Sequence, residues 1–127
     1  MKIFKTASER PGVSQLPTVS QKMTEGRRKR CQSLKAAYGR LYSDVSRLLR
    51  EADPLGLIAM GAPDDEYDPE VSTILPRLRE ANAVVDVQRI VHEEFVHWFG
   101  ADIAGPITAY ADVAERIWGT WLGSGQH

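Results

Sequence analysis

From about Arg27 to Ala52 the apolar residues Leu34, Tyr38, Leu41, Val45, Leu48, Leu49 and Ala52 recur at steps of three and four. That spacing draws one apolar stripe and predicts a helix of about seven turns. Gly39 lies inside it, at a cost of roughly 1 kcal/mol relative to alanine. Asp53-Pro54 ends it, because the residue before a proline avoids the α region. A second helix is predicted to start at Asp68-Pro69-Glu70. Asp68 is placed to cap its first turn, Pro69 fits the first helical position, and Glu70 meets the positive end of the helix dipole. Val71, Ile74, Leu75 and Leu78 form its inner face, and Pro76 predicts a kink or a restart. Asn82 is the expected cap of a third helix, striped by Val84, Val87, Ile90, Val91, Phe95 and Trp98 and closed by Gly100. Gly105-Pro106 opens a fourth, with Ile107, Tyr110, Ala111, Ala114, Ile117, Trp118 and Trp121 inward and Gly123 at its end. Trp121 is expected to be partly exposed.

No segment alternates at period two, so the fold class expected is all-α. The expected architecture is a compact bundle of about four helices with short connections. The exception is residues 53–68, DPLGLIAMGAPDDEYD. This segment holds Leu55, Leu57, Ile58 and Met60, and a stretch so apolar is expected to pack its first half over the core. Residues 1–24 lack periodicity and read as an extended or mobile lead-in, with a short strand at Ile3–Phe4. The domain division expected is a basic lead-in over 1–26 and one helical domain over 27–123. A chain of 127 residues is large enough for one core and too small for two.

Charge changes this picture more than composition does. The net charge of −1 hides an asymmetry. Residues 1–30 carry eight Lys/Arg against two Glu, a balance of +6, and the remainder carries eight against fifteen, a balance of −7. An acidic body disfavours nonspecific nucleic-acid binding, whereas the basic segment could act as an arm. No apolar run reaches the roughly 18–20 residues that cross a bilayer, and the N-terminus shows no secretory h-region. With a single cysteine, Cys31, these features point to the cytoplasm.

Three clusters carry candidate chemistry. The first is Pro63-Asp64-Asp65-Glu66-Tyr67-Asp68-Pro69-Glu70, with five carboxylates in residues 64–70. Its alternating acids resemble a calcium loop, but the turn glycine is absent, Pro69 stands in its place, and no glutamate occupies the twelfth position. No metal or cofactor is therefore expected, although a metal-dependent enzyme at this loop is an alternative. With Asp68 and Glu70 starting a helix, Asp64, Asp65 and Glu66 are surplus charge that could dock a basic partner, with Tyr67 as an aromatic anchor. The second is Arg27-Arg28-Lys29-Arg30, whose cations could bind a phosphate backbone. No aromatic residue interleaves with them in sequence, which weakens a single-strand reading. Cations also oppose the dipole of a helix N-terminus, so the helix is expected to begin near Cys31. The third is His92-Glu93-Glu94-Phe95-Val96-His97. Its histidines are five apart rather than four and diverge around a helix by roughly 140°. An exposed Glu93–His97 pair is expected instead. Cys31 has no neighbouring base to activate it.

The elements Asp53-Pro54-Leu55-Gly56, Pro63 to Asp68, Ile74-Leu75-Pro76 and Phe99-Gly100 carry a resemblance. Over about residues 41–100 the chain resembles a family of small, uncharacterised bacterial helical proteins with a domain of unknown function. The resemblance implies a compact helical fold and brings no activity, cofactor or catalytic residue. It also associates the chain with bacterial toxin-immunity and accessory proteins. The function expected is a non-enzymatic protein-binding module, immunity- or antitoxin-like, that docks a basic partner through Asp64, Asp65, Glu66 and Tyr67. The alternative is a nucleic-acid-associated regulator acting through Arg27, Arg28, Lys29 and Arg30. No membrane contact is expected, and homo-oligomerisation stays open.

Overall fold

The computed structural model describes residues 24–62 and 66–125. The lead-in through residue 23, with the strand expected at Ile3–Phe4, lies outside the described residues, as do Asp64 and Asp65. Among the described residues the fold is all-helical. Its α-helices are α1 (Glu25–Tyr38), α2 (Arg40–Ala52), α3 (Asp68–Ile74), α4 (Val84–Phe99), α5 (Ala101–Ala104) and α6 (Ala111–Ser124). Two 3₁₀ turns, Leu75–Glu80 and Ile107–Tyr110, lead on from α3 and into α6. None of these helices is long and apolar enough to cross a membrane.

The predicted first helix is two helices. Gly39 adopts φ 55° and ψ −121°, a conformation side chains resist, and breaks the run into α1 and α2. The apolar stripe continues across the break, so periodicity alone did not reveal it. The consequences differ on the two sides. Helix α2 buries Leu41, Tyr42, Val45, Leu48 and Leu49, whereas α1 buries only Cys31. Helix α1 starts at Glu25, earlier than expected, because the Thr24 hydroxyl accepts the Arg27 N–H at 3.2 Å. The cationic run therefore occupies the first two turns of a formed helix.

Proline 76 acts as predicted: α3 stops at Ile74 and the chain tightens into the 3₁₀ turn. The cap expected from Asn82 is supplied the other way round. Asp86, in the first turn of α4, reaches back to accept the Asn82 N–H at 2.8 Å. The fourth predicted helix is also divided, into α5, the 3₁₀ turn and α6. Helix α4 packs against α6 and α5, and α2 covers α6. Phe95, Ile90, Leu49, Ile74, Ile117 and Trp121 meet in the core, each at 1% exposure or less. The expectation that Trp121 reaches the surface is thus corrected, since it faces inward from the last turns of α6.

The connection 53–62 is built around one carboxylate. Asp53 closes α2 in the left-handed conformation (φ 47°), which aspartate tolerates better than most side chains. Its Oδ1 accepts the Ile58 N–H at 3.0 Å, and its Oδ2 accepts the Ala59 N–H at 2.9 Å. Leu57 is buried beneath this turn and Leu55 and Ile58 are partly so, as expected, whereas Met60 is 55% exposed.

Candidate functional site

Residues 66–70, the described part of the acidic segment, do not form the surface that its composition suggests. Tyr67 is 1% exposed and packs against Phe95 with ring centroids 5.8 Å apart. Its hydroxyl donates to Asp53 Oδ1 at 2.7 Å and accepts the Leu55 N–H at 3.3 Å. Burial, together with the adjacent Asp53 carboxylate, pushes the Tyr67 hydroxyl far above its ordinary pKa. Burial pulls Asp53 upward too, but the bonds from Tyr67, Ile58 and Ala59 outweigh it and hold the carboxyl below its ordinary value.

Glu66 is 5% exposed and Glu70 is fully buried. The expectation that Glu66 and Tyr67 meet a partner is therefore corrected, because the fold draws both side chains inward. Asp68 does not cap α3 with its side chain either. Its Oδ1 accepts the Ser46 hydroxyl at 2.7 Å, its Oδ2 lies 3.6 Å from Lys35 Nζ, and its carbonyl accepts the Tyr42 hydroxyl at 3.3 Å. Asp68 thus joins α1, α2 and α3. Burial and the nearby Asp68 raise the Tyr42 pKa well beyond its ordinary value.

The histidine segment is likewise tied into the fold. Glu93 pairs with Arg77 at 2.8 Å and with Arg89 at 3.7 Å, not with His97. The hydrogen bond from Arg77 holds the Glu93 carboxyl below its ordinary value and raises the guanidinium. Glu94 takes the second Arg77 nitrogen at 2.9 Å. His92 lies 2.9 Å from the Gly105 carbonyl, which can only accept, so Nε2 carries the proton. Its ring rests on Tyr110, whose hydroxyl burial pushes up to about 12. Among the described residues no three of His, Cys, Asp and Glu converge to hold a metal.

The basic run stands apart. Arg28, Lys29 and Arg30 are exposed, and among the described residues no carboxylate lies within ion-pairing distance of them. Elsewhere Lys35, Arg40, Arg47, Arg77, Arg89 and Arg116 each face an Asp or Glu within 4 Å, whereas Arg50 and the exposed Arg79, which meets the Tyr38 hydroxyl at 3.5 Å, face none among the described residues. Cations gain nothing from the dipole at the N-terminal end of a helix, which favours negative charge there.

Beside this run the fold places an aromatic surface that the sequence does not reveal. Arg27 Cζ lies 4.8 Å from the centroid of the Trp98 ring. Trp98 is half-buried and fixed in plane by its indole N–H, which donates to Thr73 Oγ1 at 3.1 Å. The exposed His97 ring meets its edge, with centroids 6.0 Å apart. Positions 27 and 98 are remote in sequence, and the stripe of α4 accounts for Trp98 as a core residue, so only the docking of α1 joins them. A cleft of about 400 Å³ also opens between the α1–α2 junction and α6, lined by Tyr38, Leu41, Asp44, Thr120 and Ser124 among others. Its one cation, Arg40, is already turned to Asp44 at 3.7 Å.

Comparison with protein-family models, curated proteins and solved structures finds no match to the chain.

Proposed function

We propose that the chain is a binding module that holds the phosphate backbone of a nucleic acid against the N-terminal half of α1. The observation that carries this reading is the exposed run Arg28-Lys29-Arg30, which faces no carboxylate within 4 Å among the described residues. Such a cluster raises the local concentration of a polyanion and gains from the counterions that the polyanion releases. The lead-in adds further positive charge to the same end of the chain. An immunity- or antitoxin-like module docking a basic protein through residues 64–67 has less support, since Glu66 and Tyr67 are internal.

The test is fluorescence anisotropy of labelled oligonucleotides titrated with the full chain over a range of salt concentrations. Binding is expected at low salt and should weaken steeply as salt rises. The triple variant Arg28→Gln, Lys29→Gln, Arg30→Gln should reduce the slope of log affinity against log salt by roughly 2–3. An unchanged slope in the triple variant sinks the proposal. So does an absence of oligonucleotide binding at low salt, including the case where anionic vesicles bind instead.

A further inference from the structure

We infer that a second copy of this chain is a partner of α1, and that the two copies exchange their α1 helices about a hinge at Gly39. The inference is independent of any ligand at the cationic run. Along Glu25–Ala52 the residues Cys31, Leu34, Tyr38, Leu41, Val45 and Leu48 recur at alternate steps of three and four. That is the stripe of one straight helix, and it keeps its phase through Gly39. The break in the structure is confined to the glycine. Its N–H still donates to the Lys35 carbonyl at 2.9 Å, and its carbonyl accepts the Tyr42 N–H at 3.1 Å. A side chain placed at Gly39 would meet no atom within 4 Å. The glycine therefore serves conformation and not space, because φ 55° with ψ −121° suits glycine alone.

With Gly39 in the helical conformation, Glu25–Ala52 becomes one rod about 40 Å long. A small domain is about 30 Å across, so the rod carries α1 beyond its own body. Leu34 and Tyr38, packed against the core in the bent form, then face water, as does the surface of α3 that α1 has left. A second copy, opened in the same way, covers both. Its α1 brings Lys35 to Asp68, Arg27 to Trp98 and Tyr38 to Arg79, the contacts that the closed chain makes within itself. No contact has to be weak for this to happen, because each is made again between chains. Helix α1 lies wholly on one side of the hinge, so one residue per chain changes conformation. The balance is set by that residue and by concentration: glycine at the bend favours the closed monomer, and mass action favours the pair.

The experiment compares the full wild-type chain with Gly39→Ala by sedimentation over a range of concentrations. Alanine gains in the helix interior and loses at the bend, together a factor of roughly 10 or more per chain, so the dissociation constant of a dimer with two hinges should fall roughly 100-fold or more. Isotope-labelled and unlabelled chains are then mixed, unfolded in urea and refolded together. A carbodiimide joins Lys35 to Asp68 without a spacer, since their charged groups lie 3.6 Å apart. In the exchanged dimer this link runs between chains, so mass spectrometry should find linked peptides that pair a labelled with an unlabelled segment. In a dimer packed side by side every link stays within one chain and carries one isotope only. A Gly39→Ala chain that stays monomeric at every concentration overturns the inference, and so does a dimer whose Lys35–Asp68 links are all of one isotope. If Gly39→Ala fails to fold, the wild-type mixture refolded at millimolar concentration decides. Mixed-isotope links in its dimer fraction support the exchange, and their absence overturns it.

Discussion

Two charged segments of this chain, residues 66–70 and residues 27–30, look alike in sequence and are put to opposite uses by the fold. The described acidic residues meet the core: Glu66 and Glu70 are buried, Tyr67 lies against Phe95, and Asp68 is bonded to Ser46 and Lys35. The basic segment stays at the surface on a helix that buries only Cys31. The lesson concerns what surrounds a charge rather than how many charges there are. The acids alternate with Tyr67, Pro69 and Val71, and burying those apolar groups carries the polar ones with them. The cations come four in a row, so at most one, Arg27, can lie along the inward side shared with Cys31, Leu34 and Tyr38.

The largest effect expected from this contrast is at Tyr67. Tyr67→Ala removes a fully buried aromatic ring and should lower unfolding free energy by about 3–5 kcal/mol, a large part of the roughly 5–15 kcal/mol that holds a domain folded. Tyr67→Phe keeps the ring but leaves the Asp53 carboxylate and the Leu55 N–H each short of a partner, and should lose about 1–3 kcal/mol. Urea unfolding followed by circular dichroism measures both. If Tyr67→Ala unfolds within about 0.5 kcal/mol of wild type, as a surface change would, Tyr67 is not the internal anchor of the 53–68 connection.

Asp53 sharpens the same comparison through pH. Its carboxyl is held below the ordinary 3.8 in the folded chain. The unfolded chain therefore takes up this proton first as pH falls, and protonation favours unfolding. The contribution of Asp53 is thus fully present above pH 3.8 and is lost as pH falls through the lower folded value. Asp53→Asn should be the less stable protein at pH 7, and its deficit should shrink when unfolding is repeated near pH 3. A deficit that is constant across that range would show that the carboxylate charge does not organise the turn.

Much of this architecture is readable from residue patterns, and what is not readable has physical causes. The stripes of α2, α4 and α6 mark their buried faces because each helix covers the same core along its length. The break at Gly39 left the apolar period intact, so nothing in the pattern separated a tolerated glycine from one at positive φ. Asp53 was legible as a helix stop, but its bonds to Ile58, Ala59 and Tyr67 depend on a turn that no periodicity describes. Asp68 had the residue type and place of a cap, yet Ser46 and Lys35, on other helices, compete for its oxygens and take them. Of the candidate site, the cations were legible as a run. Trp98 was legible only as a core residue, because its nearness to Arg27 follows from how α1 packs against α3.

The smallest expected effect tests the basic half of the comparison, and its sign carries the information. Arg28, Lys29 and Arg30 lie in the first two turns of α1, where positive charge opposes the partial positive charge of the unpaired N–H groups. They also repel one another, and among the described residues no carboxylate lies within 4 Å of them, the nearest in sequence being Glu25, one turn before Lys29. Replacing all three with glutamine keeps helix propensity nearly constant. The change should leave the protein as stable as wild type or more stable by a few tenths of a kcal/mol up to about 1 kcal/mol, with the larger gain at low salt, where charges are least screened. Urea unfolding at about 20 mM and about 500 mM salt, between which the Debye length shortens roughly fivefold, reads this directly. A loss of 1 kcal/mol or more would mean that these cations hold the fold together after all. The two charged segments would then differ in position but not in purpose, and the cations of α1 would need no ligand to explain them.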